Sequence, residues 1–133
     1  MSAAGKDPGQ DLATLRREYL EFLDVQYQAY IDLRDSVDAA ADVFRVLRAQ
    51  VQQEANIRDL GAFIDPKPLR AALIAGFAEF ERARRTGQRM LFRLLLAEGA
   101  TIDDISRAWN LPHEVVERVV DDRGDDVADD RAE

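Results

Sequence analysis

From Asp11 to Leu60 the chain contains neither proline nor glycine, and its apolar residues return at intervals of seven. No other feature restricts the fold as much, because a long breaker-free stretch with a heptad repeat specifies an amphipathic helix. One row is Leu23, Tyr30, Val37, Phe44 and Val51; a second is Leu12, Tyr19, Leu33, Ala40 and Leu47. Leu15, Phe22 and Val43 widen the stripe beyond a two-stranded seam, toward the face of a bundle helix. Gln26 interrupts the second row and is expected to fix register. One helix of about 45 residues would be roughly 70 Å long, which calls for a break near Asp35-Ser36 or an equally long packing partner. The pattern continues through Asp35-Ser36, so the partner is the expectation.

The chain itself supplies one. Gly61 to Asp65 reads as a short turn, and Asp65-Pro66-Lys67-Pro68 as a helix start, with Asp as N-cap and prolines in the first turn. The next helix should run from about Pro66 to Ala97. Its stripe is Leu73, Gly76, Phe80, Ala83, Gly87, Met90 and Leu94, with Leu69, Phe77 and Leu91 beside it. A glycine inside a helix costs about 1 kcal/mol against alanine, so Gly76 and Gly87 point to close backbone approach, or Gly87 to a hinge. A hairpin of this length leaves apolar surface uncovered. The simplest cover is a second copy, giving a four-helix bundle about a two-fold axis. The expected interface residues are Leu23, Tyr30, Leu33, Val37, Phe44, Leu47 and Val51.

After the hairpin comes Thr101 to Val120, TIDDISRAWNLPHEVVERVV. Glu98-Gly99 reads as a helix end, and Thr101 with Asp104 as a variant capping box. Asn110 tolerates the left-handed backbone of a turn, and Pro112 can open a final helix. Ile105, Trp109, Leu111, Val116 and Val119 are apolar and Ser106 is small. Over residues 88–120 the chain resembles the helix-turn-helix domain of bacterial DNA-binding proteins, which implies that those five apolar residues close a small three-helix core and that Ser106 lets two helices approach. The resemblance implies a dimeric DNA-binding transcriptional regulator. In it Arg107 and Arg118 would touch phosphates or bases, while His113, Glu114 and Glu117 lie on the recognition face.

Charge qualifies that picture. The net charge is −8, yet residues 66–97 hold seven basic and two acidic groups. Arg82, Arg85, Arg89 and Arg93 recur at three- and four-residue steps and so share a helix face. That stripe either tracks phosphates, adding affinity to the DNA reading, or is a solvated face or one paired with the protein's own acids. The recognition helix is acidic, and residues 121–133 carry seven acids against two arginines. Such a tail is expected to be disordered. It could fold back on the arginine stripe and compete with nucleic acid, or bind a protein partner. The alternative to a regulator is therefore a helical adaptor whose helix-turn-helix and acidic tail engage protein.

Other classes find little in the sequence. His113 is the one histidine and cysteine is absent, so metal sites and thiol chemistry are not expected, nor a cofactor. Leu12 to Arg16 is similar to the start of small all-helical chorismate mutases, with Arg34 and Arg45 as companions. The C-terminal module has no place in that fold, and no enzyme is expected. No apolar run spans a membrane, and the lack of cysteine suits a reducing cytoplasm. The expected architecture is all-α. Residues 1–10 are a disordered N-terminus, 11–87 a dimerising hairpin, 88–120 a tri-helical helix-turn-helix unit, and 121–133 a disordered acidic tail.

Overall fold

Every regular element in the computed structural model, which describes residues 8–54, 56, 58 and 65–122, is an α-helix. The helices are α1 (Pro8–Gln52), α2 (Pro66–Ala97), α3 (Ile102–Trp109) and α4 (His113–Asp121). α1 is a single helix of 45 residues that continues through Asp35-Ser36. It begins at Pro8, three residues before Asp11, because proline in a first turn forfeits no helical hydrogen bond. α2 has the expected limits, and its first turn is tied by Lys67 N–H donating to Asp65 Oδ1 at 3.1 Å. The expected turn at 61–64, residues 1–7 and the tail from 123 onward lie outside the described residues. Among the described residues no helix is long and apolar enough to cross a membrane.

The chain divides into two units, one of residues Tyr27–Glu81 and one of Met1–Gln26 with Arg82–Glu133. In the first, α1 and α2 run antiparallel. The rings of Tyr30 and Phe80 meet at 4.6 Å between centroids, and Gly76 lies beside Leu33 and Ser36. Ala29, Leu33, Ser36, Ala40, Val43 and Leu47 form a buried or half-buried row at alternating steps of four and three. Leu33, expected at a dimer interface, thus packs on Gly76, and Leu47 follows it on the same row. Tyr30, Val37, Phe44 and Val51 instead remain exposed. Gly76 has ordinary room: a Cβ there would stand 3.6 Å from Leu33 Cδ1. Close approach, anticipated at both glycines of α2, does not occur at this one.

In the second unit α1 again runs against α2. Arg16 reaches Glu98 at 3.0 Å, and Gln26 fills the space over Gly87. A Cβ on Gly87 would fall 2.3 Å from Gln26 Oε1, so only glycine fits beneath that side chain as it stands. α2 passes through Gly87 without interruption. Leu12, Leu15, Tyr19 and Phe22 line the half-buried side of α1 here, while Leu23 is exposed.

The core of this unit is Phe92, Ile105 and Val116, one residue from each of α2, α3 and α4, all essentially inaccessible to solvent. Leu95, Leu96, Ile102, Leu111, Val119 and Val120 pack around them. Burying a side chain of this size contributes roughly 1.5–3 kcal/mol, which is why two helices of eight and nine residues hold together. Trp109 does not close the core as expected. It leans edge-on against Phe92 at 5.0 Å and leaves 40% of itself exposed.

Candidate functional site

The region singled out by sequence is built from α3, α4 and the end of α2. α2 stops where Gly99 takes a φ of 108°, and Ala100 N–H turns back to the Leu95 carbonyl. α3 starts at a reciprocal capping box. Asp104 N–H donates to Thr101 Oγ1 at 3.0 Å, and Thr101 N–H donates to Asp104 Oδ2 at 2.9 Å. That backbone donor first, then the Thr101 hydroxyl and the nearby Arg107, hold the Asp104 carboxyl below its usual range.

The link from α3 to α4 turns on Asn110, whose backbone is left-handed at φ 54° and ψ 50°. Asparagine adopts this conformation more readily than other non-glycine residues. Ser106 anchors the turn twice. Its carbonyl accepts from Leu111 N–H at 3.0 Å, and its hydroxyl donates to the Leu111 carbonyl at 2.5 Å. Ser106 thus contributes more than its small size, through a hydrogen bond that a five-residue separation from Leu111 conceals in the sequence. α4 begins at His113, with Pro112 as the preceding cap residue, one position later than Pro112 itself.

Its far end is held by arginine. Arg93 Nε donates to the Val120 carbonyl at 2.8 Å, and its terminal nitrogen donates to the Asp122 carbonyl at 2.6 Å. Arg89 stands 3.8 Å from the Asp122 carboxylate. These cations sit where the carbonyls of α4 run out of helical partners and where its dipole is negative. Arg82 and Arg85 are likewise half-buried and already make contacts within the chain. The stripe of four arginines is therefore turned into the protein, and two of its members fasten the last helix.

The outward surface of α3 and α4 has the opposite charge. Its exposed ionisable residues are Asp103, Asp104, Glu114, Glu117 and Asp121, with Arg107, Arg118 and His113 among them. Arg107 bridges Asp103 at 2.7 Å and Asp104 at 2.9 Å. His113 Nε2 lies 3.1 Å from Asp103 Oδ1, joining the two helices across the turn. Arg118, Glu114 and Glu117 project from α4 into solvent. Beside the carboxylates is a shallow, open apolar groove of about 200 Å³, lined by Leu95, Ala100, Asp104, Ile105, Ala108 and Trp109.

Among the described residues no cluster of His, Cys, Asp and Glu could hold a metal ion. Arg16, Arg34 and Arg45, the residues similar to a mutase site, each pair with a carboxylate, Glu98, Asp35 and Asp42 respectively. No family model matches the chain, and neither a curated protein nor a solved structure was found to be similar to it.

Proposed function

We propose that this chain is a non-enzymatic helical adaptor: a long hairpin carrying a helix-turn-helix unit that recognises a basic segment of a partner protein. The observation that carries this reading is the sorting of charge within the terminal unit. Arg89 and Arg93 are drawn in against the end of α4, and five carboxylates of α3 and α4 face out. Arg107, the cation among the carboxylates of α3, is bridged by Asp103 and Asp104. Binding to DNA draws its affinity from Lys and Arg neutralising phosphates, and this face would repel them. The apolar groove at Trp109 beside Asp104 suits a segment that combines lysines or arginines with one apolar anchor, since tryptophan is enriched among the residues that anchor protein interfaces.

DNA binding as a transcriptional regulator is the second reading, and one observation favours it. The Thr101 cap, the left-handed Asn110 and the Phe92, Ile105 and Val116 core are the arrangement a helix-turn-helix requires. On that reading Arg107 and Arg118 meet phosphates while His113, Glu114 and Glu117 face base edges, glutamate accepting from cytosine N4.

Fluorescence anisotropy of the full-length chain separates the two. The probes are a labelled random-sequence DNA duplex and a labelled lysine- and arginine-rich peptide with a single leucine anchor, each across a salt series. The adaptor reading expects the peptide to bind, more weakly as salt rises, and a Glu114→Gln, Glu117→Gln variant to bind it several-fold less. It expects no duplex binding at low salt. Duplex binding with a steep negative salt slope would overturn it and make Arg107 and Arg118 the next substitutions.

A further inference from the structure

Within the unit Tyr27–Glu81, α1 carries two apolar rows, and α2 meets one of them. The inner row contains Leu33, Ser36 and Ala40, with Leu33 and Ser36 against Gly76. Moving one residue along from Ala29, Ser36 and Val43 of the same row gives Tyr30, Val37 and Phe44, and from Leu33, Ala40 and Leu47 it gives Arg34, Ala41 and Arg48. One residue is about 100° around an α-helix, so the two rows stand at roughly a right angle. That is the angle between the two neighbours of a helix at the corner of a four-helix bundle. The same one-residue step on α2 leads from Leu73 and Gly76 to Ile74 and Phe77. In an antiparallel pair these steps fall on one flank. The other flank carries the carboxylates Asp32, Asp35, Asp42 and Glu79, while on this one the large apolar side chains are bordered by Arg34 and Arg48.

We infer that a second copy of this chain occupies this face, with α1 crossing α1 of that copy antiparallel about a two-fold axis beside Val37. Three features point to a copy. The row Tyr30, Val37, Phe44 reads aromatic, aliphatic, aromatic in either direction. An inverted copy sets Tyr30 against Phe44 and Val37 against itself, as an isologous interface demands. The contacts of Tyr30 with Phe80 and of Gly76 with Leu33 and Ser36 put Ile74 level with Val37. The same axis therefore brings Ile74 to its own counterpart without further adjustment. The area is also sufficient. Tyr27, Tyr30, Val37, Phe44, Ile74 and Phe77 are 44–70% exposed. With about 150–250 Å² for a whole aromatic side chain, they offer on the order of 700 Å² per protomer, near the roughly 800 Å² of a stable interface. This interface differs from the one expected from sequence, because Leu33 and Leu47 belong to the inner row.

The chain has no cysteine, so one introduced thiol reports alone. Val37→Cys in the full-length chain, oxidised with diamide, is expected to give a disulfide-linked dimer. Val46→Cys, exposed on the other flank, is expected to stay largely unlinked. Light scattering on the wild type should give twice the chain mass of 15.0 kDa. Phe44→Glu should halve that mass while leaving the helical circular dichroism unchanged. A wild type that stays monomeric at 100 µM, or equal cross-linking at both positions, overturns the inference. Peptide or DNA binding is not used in it, so such a result leaves the proposed recognition role to be judged on its own assay.

Discussion

Gly76 and Gly87 lie on the same stripe of α2, yet the same substitution at the two should have different consequences. Gly→Ala inside a helix ordinarily stabilises by about 1 kcal/mol. At Gly76 the new methyl would sit 3.6 Å from Leu33 Cδ1 and 3.7 Å from Ser36 Oγ, which is ordinary contact. Gly76→Ala should therefore keep most of that gain. At Gly87 the methyl would stand 2.3 Å from Gln26 Oε1 and 2.7 Å from its Cδ. The Gln26 amide must leave its place, but as the far end of a flexible side chain it can swing aside, so the cost stays near the low end of the about 1–3 kcal/mol of forced repacking. The net expectation for Gly87→Ala is therefore close to neutral, the helix gain of about 1 kcal/mol being offset by that cost. Urea unfolding followed by far-ultraviolet circular dichroism, at one fixed protein concentration, measures both variants. Gln26→Ala removes the obstruction, so adding Gly87→Ala to it should stabilise, and the double-mutant cycle should show clear coupling. If Gly87→Ala alone stabilises as much as Gly76→Ala, the reasoning is refuted and Gln26 does not hold the register of the pair.

Two further expectations concern the terminal unit. Arg93→Ala removes charge-assisted hydrogen bonds to the Val120 and Asp122 carbonyls. It should destabilise the unit by about 1.5–3 kcal/mol, seen as faster amide exchange in α4, and Arg93→Lys should recover only part of this because lysine lacks the forked geometry. The Asp104 carboxyl is held below its ordinary value of 3.8, chiefly by the Thr101 backbone N–H. Its contribution is therefore complete above the ordinary value and is lost as pH falls through the lowered one. An acid titration of thermal stability should show that loss in the wild type and a smaller one in Asp104→Asn.

What the sequence determined by itself is what depends on neighbours a few residues away. The capping pair Thr101 and Asp104, the positive φ of Gly99 and the left-handed Asn110 are local backbone chemistry, in which donor, acceptor and strain all lie within one turn. The limits of α2 follow in the same way from Asp65 and Pro66, and the continuity of α1 from the absence of any breaker between Asp11 and Leu60. Tertiary structure decided which of two apolar rows faces inward. Leu33 and Val37 belong to rows of equal heptad periodicity three or four residues apart, and only the side that α2 lies on tells them apart. It also decided the fate of the arginines. Helical spacing shows that Arg82, Arg85, Arg89 and Arg93 share a face, but not that α4 ends beside it. Arg93 reaches Val120 across 27 positions of sequence. A guanidinium on a long flexible stem takes its role from whatever carbonyl or carboxylate the fold brings within its reach, and no local pattern records that.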